Sequence, residues 1–307
     1  MGREKRPVYE SFADPVARER HCVFSVCAAA LSGFDKAVAL GRHYFTMPEG
    51  PFVLGREGVA RDDRGGLIYF NVLAPVAPFG SMAERTLIDP RFSFPAPDVV
   101  APAMAAALGN AGLAAWLALS WRARIKPGDR VLILGATGMS GLIAVTAAKR
   151  LGAGKVIAAG RNADRLQLAK RFGADETVDI TATDLVGRYR EAAQGTVDIV
   201  IDYLCGAPAE AALDVVSTYG RVVHVGTSAG PSMKVMGANT RRTCVDILGF
   251  AYYHAPIEAQ AAAFGELCRL AAAGEVSVDF EVRPLAEAVA AWDAHASGTS
   301  RRQVLVP

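Results

Sequence analysis

Four apolar residues, Val131-Leu132-Ile133-Leu134, run straight into Gly135-Ala136-Thr137-Gly138-Met139-Ser140-Gly141, and a helix-forming stretch follows. Small residues at 135, 136 and 138 let a backbone approach a pyrophosphate closely, and Gly141 lets the helix pack against the sheet. The N–H groups at the helix start point at phosphate oxygens, and the helix dipole favours negative charge there. Thr137 and Ser140 add hydroxyl donors. The pattern is G-x-x-G-x-x-G, because Ala136 holds the first glycine place of the standard G-x-G-x-x-G. The strand before it, the helix after it and a second strand at the right distance make it a dinucleotide-binding turn rather than an ordinary tight βα turn.

The end of that second strand bears on which dinucleotide. An NAD-binding chain carries Asp or Glu there, about 20 residues on, bonded to the ribose 2′-hydroxyl. Here the strand ends Ala158-Ala159-Gly160-Arg161-Asn162, with Arg165 one helical turn later and Asp164 already on the helix. A guanidinium suits a phosphate dianion. A solvated Arg at a helix start is the plain alternative, but the helix dipole disfavours a cation there. The expected cofactor is therefore NADP(H), with Gly160, Arg161, Asn162 and Arg165 around the 2′-phosphate. A short-chain dehydrogenase is excluded, since no Tyr has Lys four residues later and the glycine motif lies mid-chain.

The rest of the composition narrows the class. The chain has 307 residues, with 51% hydrophobic, 21% charged and a net charge of +2, so disorder and a global electrostatic case for nucleic acid or an anionic membrane are set aside. The five cysteines, Cys22, Cys27, Cys205, Cys244 and Cys268, are odd in number and widely spread, with no C-x-x-C. Neither a disulfide framework nor a zinc knuckle is indicated, and a reducing, cytoplasmic location is expected. The N-terminal MGREKRPVYESFADP has no apolar h-region. One uncharged stretch, Val99 to Leu119, is long enough to span a bilayer. It is rich in alanine and broken by Pro102, Gly109 and Gly112, so it reads as a buried helix pair lining a ligand.

These residues need elements to hold them. The first third has strand candidates at His21–Ala30, Phe52–Asp63 and Gly66–Leu73, with prolines punctuating the stretch from Pro75 to Pro102. From about Ser120 apolar strands alternate with helices: strands at Val131–Leu134, Lys155–Ala159, Glu176–Asp179, Asp198–Asp202, Arg221–Val225 and Cys244–Phe250, helices at Met139–Leu151, Ala163–Phe172, Leu185–Ala193 and Pro208–Thr218. That alternation predicts an α/β fold with a doubly wound parallel sheet covered on both faces. Ile257–Ala273 and Leu285–His295 read as further helices, and Arg302–Val306 as a strand returning to the first domain.

The chain resembles the medium-chain dehydrogenase/reductase superfamily, in its zinc-free quinone oxidoreductase branch. The resemblance rests on Phe52-Val53-Leu54-Gly55-Arg56-Glu57-Gly58-Val59, Lys126-Pro127-Gly128-Asp129-Arg130-Val131 and the glycine segment. Arg171-Phe172-Gly173-Ala174-Asp175, Gly220-Arg221-Val222-Val223-His224-Val225-Gly226, Pro284-Leu285-Ala286-Glu287-Ala288 and Val304-Leu305-Val306 extend it. It implies a GroES-like β-rich domain from residues 1–119 and 254–307, with a Rossmann domain at 120–253. It also implies a cofactor site that adds Leu204, Gly226, Thr227 and Ser228 to the glycine turn. Zinc alcohol dehydrogenases carry Cys where Ser32 stands and His where Arg56 stands, and nothing between Gly66 and Asp98 corresponds to their four-cysteine lobe. No metal site is therefore expected. The implied reaction is hydride transfer from NADPH to a quinone or similar electron-poor small molecule. The alternatives are reduction of activated alkenes or aldehydes, and a non-catalytic NADPH-binding protein. Ser32, Tyr44, Asn110 and Tyr252 are the candidate hydrogen-bond donors, each weighed against a structural role, and His224 and His254 read as satisfied histidines. The resemblance also implies a homodimer through the Cys244–Phe250 edge strand, with Val245, Ile247 and Leu248 in the interface.

Overall fold

A computed structural model describes residues 6–43, 45, 49–297 and 301–307. The chain divides into two compact units, one of residues 1–110, 256–272 and 278–307, the other of residues 111–255 and 273–277. The first division falls inside a helix, at 110/111, where the sequence reading puts it at 119/120.

The first unit is β-rich. Its elements from the N-terminal part are β1 (Cys22–Ala30), α1 (Gly33–Ala39), β2 (Gly58–Arg61), β3 (Leu67–Phe70), β4 (Arg85–Ile88), β5 (Ser93–Pro95) and the start of α2 (Pro102–Leu117). β1 organises the sheet, pairing antiparallel with β2 and with β4. The core between these short strands holds Phe24, Ala60, Ile68, Phe70 and Ile88, all buried.

The second unit carries β6 (Arg130–Leu134), α3 (Met139–Arg150), β7 (Lys155–Gly160), α4 (Ala163–Arg171), β8 (Glu176–Asp179) and α5 (Leu185–Ala193). β9 (Val197–Asp202), α6 (Gly206–Leu213), β10 (Val216–His224), α7 (Gly237–Thr243) and β11 (Asp246–Gly249) complete it. The strand order is β11-β10-β9-β6-β7-β8, and every pairing is parallel. Numbered along the chain this is 3-2-1-4-5-6, the doubly wound order, which reverses direction between β6 and β9. Val131, Leu132, Ile133 and Leu134 are fully buried, as a strand covered on both faces must be. The helices are capped where the sequence offers caps: Asn162 accepts from Arg165 N at 3.0 Å, and Asp184 from Gly187 N at 2.8 Å.

The C-terminal part returns to the first unit with α8 (Ile257–Ala272), β12 (Phe280–Pro284), α9 (Ala288–Ala296) and β13 (Arg302–Val306). β13 pairs antiparallel with β1, matching Ala30 to Val304, and parallel with β12. The two ends of the chain therefore share one sheet.

Several expected elements differ in extent. Phe52–Asp63 is a strand only from Gly58. Gly55 has a φ of +95°, and a Cβ there would lie 2.2 Å from Ser81 Oγ, so the chain turns before the strand starts. The helix expected at Pro208–Thr218 ends at Leu213. Val215 and Val216 are buried β-branched residues, and Val216 pairs with Val197 in β10. The strand expected at Cys244–Phe250 begins at Asp246, because Cys244 (φ +48°) closes α7 in the left-handed region. Leu285–Glu287 is a single 3₁₀ turn before α9. The alanine-rich stretch forms α2, kinked at Gly109, followed by a π-helical turn at Ala118–Ala123. Pro102–Ala123 is long and apolar enough to cross a membrane, but 78% of its most apolar window is buried inside the protein.

The environments of the thiols predict their reactivity. Cys22 and Cys244 are exposed, whereas Cys205 and Cys268 are buried. Burial pushes the Cys268 thiol up to about 12, and only the thiolate is nucleophilic. Alkylation of the folded protein with iodoacetamide near neutral pH, mapped by mass spectrometry, is expected to label Cys22 and Cys244 and spare Cys268. Rapid labelling of Cys268 in folded protein would contradict this packing.

Candidate dinucleotide site and polar cluster

The glycine turn has the geometry of a phosphate cradle. Gly135 has φ +85°, and its N–H and that of Ala136 both donate to Ala159 O, at 2.9 Å each. Gly138 N donates to Gly135 O at 3.0 Å and caps α3 with no side chain. The first intrahelical bond runs from Leu142 N to Gly138 O, so the N–H groups of Met139, Ser140 and Gly141 have no backbone acceptor among the described residues. A Cβ on Gly141 would lie 2.3 Å from Gly135 O, and one on Gly160 would lie 2.3 Å from Thr137 Cγ2. Only glycine allows the helix start and the second strand to close on the turn this tightly. The fit to a pyrophosphate rests on these open donors and this close approach.

Around the turn, the remaining predicted residues take distinct places. Arg165 Nε donates to Thr137 O, which ties α4 to the glycine turn. Asn162 is spent as the α4 cap. Arg161 is exposed at the strand end and makes no hydrogen bond or ion pair among the described residues. The strand-end carboxylate nearest in register is Asp179, opposite Gly160. It accepts from Thr181 N at 2.9 Å and Thr181 Oγ1 at 2.8 Å, and these two bonds lower its pKa. Leu204 packs beside Gly135. Ser228 donates to Tyr203 O through N–H and hydroxyl, Gly226 N donates to Asp202 O, and Thr227 is exposed in the same loop. The loops after β6, β7, β9 and β10 thus sit at the carboxyl ends of the strands beside the direction switch.

The β-rich unit holds a buried polar cluster. Ser32 caps α1, and its hydroxyl donates to Asp35 Oδ2 at 2.6 Å. Asp35 Oδ1 accepts from Arg56 N at 2.9 Å. Burial pushes the Asp35 carboxyl up, against the lowering effect of the Ser32 bonds. The Arg56 guanidinium is itself buried, donating to Val72 O at 2.8 and 3.1 Å and to Pro75 O at 3.0 Å. Burial lowers its pKa. Next in sequence, Glu57 accepts from Tyr69 Oη at 2.6 Å, from Asn110 N at 2.7 Å and from Arg302 Nη2. Burial is the largest influence on Glu57 and pushes its carboxyl up, with Arg302 opposing. A Cβ on Gly109 would lie 2.6 Å from Glu57 Oε2, so the kink in α2 is moulded around this carboxylate. Ser32 and Asn110 are therefore joined to one cluster through Asp35, Arg56 and Glu57. Tyr252 is buried in a 3₁₀ turn of the other unit, and Tyr44 lies outside the described residues.

Sequence reasoning passed over Asp35, Tyr69, Arg302 and Asp202, and read His224 as a satisfied histidine without its partner. Asp35 was within reach as the last residue, at N3, of a Ser-x-x-Asp capping box. The others come together only through long-range strand pairing.

A parallel sheet in doubly wound order with a glycine turn at its switch defines a dinucleotide-binding protein. A family model described as zinc-binding dehydrogenase matches residues 141–267, from the last glycine of the turn into α8, and leaves out positions 32 and 56. The chain belongs to the medium-chain dehydrogenase/reductase superfamily, in its quinone oxidoreductase-like branch. A quinone oxidoreductase from Thermus thermophilus, also solved in complex with NADPH, is 28% identical with a TM-score of 0.77, over 97% of this chain and 95% of that one. The Escherichia coli quinone oxidoreductase complexed with NADPH is 25% identical with a TM-score of 0.81, over 98% of this chain and 95% of that one. Among curated relatives, a probable alcohol dehydrogenase of Mycobacterium tuberculosis is 45% identical over 107 residues, 33% of this chain and 29% of that protein. The quinone oxidoreductase-like protein 2 of Bos taurus is 30% identical over 228 residues, 72% of this chain and 58% of that protein.

Proposed function

We propose that this chain is a zinc-independent, NADPH-dependent oxidoreductase that reduces a quinone or a similarly electron-poor small molecule. The observation that carries the reading is the end of β7. It presents Arg161 free beside a glycine turn with open N–H groups, while the nearest strand-end carboxylate, Asp179, is tied to Thr181. The NADPH complexes of the Thermus and Escherichia relatives support it.

Each residue then has a task. The N–H groups of Met139, Ser140 and Gly141 hold the pyrophosphate, and Arg161 holds the 2′-phosphate. Arg165 keeps the turn in shape through Thr137 O. The bound cofactor supplies a hydride. Quinones and enones accept hydride into a delocalised oxyanion, so the protein's share is placement and a hydrogen-bond donor rather than a Lewis acid. The Ser32 hydroxyl is already engaged as a donor to Asp35, so we assign the donor role to the part-exposed Asn110 amide, set at the α2 kink by Glu57. Zinc independence rests on the donor set. A catalytic zinc takes about three protein ligands from Cys, His and carboxylates, whereas Ser32 and Arg56 stand in two ligand places and Arg56 is spent on three carbonyl bonds.

Steady-state rates of NADPH oxidation across a panel of quinones, activated alkenes and simple aldehydes test the acceptor class. The highest kcat/KM is expected with quinones. A clear preference for alkenes or aldehydes would replace the acceptor named here, and cofactor binding with no turnover on any acceptor would mark a non-catalytic protein.

The assembly expected with this function is a homodimer through β11. That strand is an unpaired sheet edge with Ile247 37% exposed, and such edges template pairing with another chain. Light scattering at micromolar concentration is expected to give twice the chain mass, and Ile247→Lys to halve it. A monomeric unmodified protein would refute this.

A further inference from the structure

The strand order settles which loops face each half of a dinucleotide. β6, β7 and β8 form the first mononucleotide-binding half and β9, β10 and β11 the second. Gly160 and Arg161, at the end of β7, serve the adenosine half. The nicotinamide half then lies over the ends of β9 and β10.

Two titratable residues end those strands, and neither has a task so far. Asp202 and His224 are register partners, with His224 Nδ1 2.8 Å from Asp202 Oδ2. Asp202 is fully buried, and its Oδ1 accepts from Leu204 N at 2.9 Å and Cys205 N at 2.8 Å. Its main-chain oxygen accepts from Val225 N at 2.8 Å and Gly226 N at 3.2 Å. With the carboxylate placed by two N–H donors, the imidazole meets it as a donor and carries its proton on Nδ1. The ring is 29% exposed, and Nε2 has no partner among the described residues. The loops after β9 and β10 are bonded to each other. Cys205 sits at φ +62°, and Ala229 N donates to Leu204 O at 2.7 Å. An imidazole fixed by a buried acid at one nitrogen and open at the other is a preorganised acceptor.

We propose that His224, oriented by Asp202, binds the nicotinamide ribose of the cofactor, with Nε2 accepting a hydrogen bond from a ribose hydroxyl. The inference rests on the NADPH reading above. Asp202 is then a positioning residue that acts through the ring.

Calorimetric titration of the full chain with NADPH and with 2′,5′-ADP, which lacks the nicotinamide half, separates the two ideas. His224→Ala is expected to weaken NADPH roughly tenfold, about what one hydrogen bond contributes, and to leave 2′,5′-ADP within about twofold. His224→Gln, which keeps an acceptor, should recover part of the loss. Asp202→Asn should follow His224→Ala for NADPH, with 2′,5′-ADP binding as its control for folding. Unchanged NADPH affinity in His224→Ala would overturn the proposal and leave the cofactor reading standing. Equal loss of both ligands in His224→Ala and His224→Gln would reduce His224 to a structural role and overturn it as well. If the unmodified protein bound neither ligand, the proposal and the cofactor reading would fall together.

Discussion

Arg302→Ala is expected to destabilise the protein by about 3–5 kcal/mol, the usual cost of leaving one half of a buried ion pair behind. The side chains of Glu57 and Arg302 are 1% and 10% exposed, and the pair joins the last strand, β13, to the segment entering β2. Without the guanidinium, Glu57 keeps Tyr69 Oη and Asn110 N as partners among the described residues. The loss should depend on pH with a defined sign. Burial already raises the Glu57 carboxyl above its unfolded value, and removing Arg302 raises it further. A group raised on folding favours the folded state below its unfolded pKa and loses that contribution as pH rises through the folded pKa. The defect of Arg302→Ala should therefore be largest near neutral pH and shrink as pH falls into the carboxylate range. Urea unfolding of both proteins at two pH values measures this, and a defect under about 1 kcal/mol at neutral pH would show that the pair contributes little.

The second large effect concerns cofactor choice. Each charge-assisted hydrogen bond contributes roughly 1.5–3 kcal/mol, and every 1.4 kcal/mol is about tenfold in affinity. One or two such bonds from Arg161 to the 2′-phosphate, discounted for the solvent screening of an exposed side chain, predict a preference for NADPH over NADH of roughly 10- to 1,000-fold. Arg161→Ala should remove most of it by weakening NADPH and leave NADH nearly unchanged. Raising ionic strength should narrow the gap in the unmodified protein, because Arg161 is exposed. Arg165 has the smaller direct share, since its Nε is engaged with Thr137 O. Arg165→Ala should instead loosen the glycine turn and weaken both nucleotides. Fluorescence titration of both variants with both nucleotides checks this, and an unchanged NADPH-to-NADH ratio in Arg161→Ala would refute it.

The doubly wound unit was the more legible half of the sequence. Its central strands β6, β7 and β9 are mostly apolar runs, because both faces of the sheet are covered there, and the helices after β7 and β8 carry local caps in Asn162 and Asp184. The errors fell where a tertiary pairing overrides a local pattern. Val215 and Val216 extend an apolar helix on paper, but Val215 lies in a turn and Val216 starts β10 beside Val197. The β-rich unit was read less well because its strands are short and find their partners far along the chain, as Ala30 finds Val304. The glycine turn was legible as chemistry because phosphate recognition needs a contiguous segment. The cluster of Asp35, Arg56, Glu57 and Arg302 was not, because its members are drawn together by strand pairing rather than by spacing. His224 and Asp202 are 22 positions apart, and only the β9–β10 register shows that they meet.

Metal-free hydride transfer from NADPH is the proposed reaction. Its most direct test is NADPH oxidation, followed at the nicotinamide absorbance band, by protein stripped of metal with a chelator and supplied with a quinone. A steady fall in absorbance is expected at the same rate before and after stripping, and a much slower rate with NADH at equal concentration. Loss of the rate on stripping, with recovery on adding zinc, would contradict it.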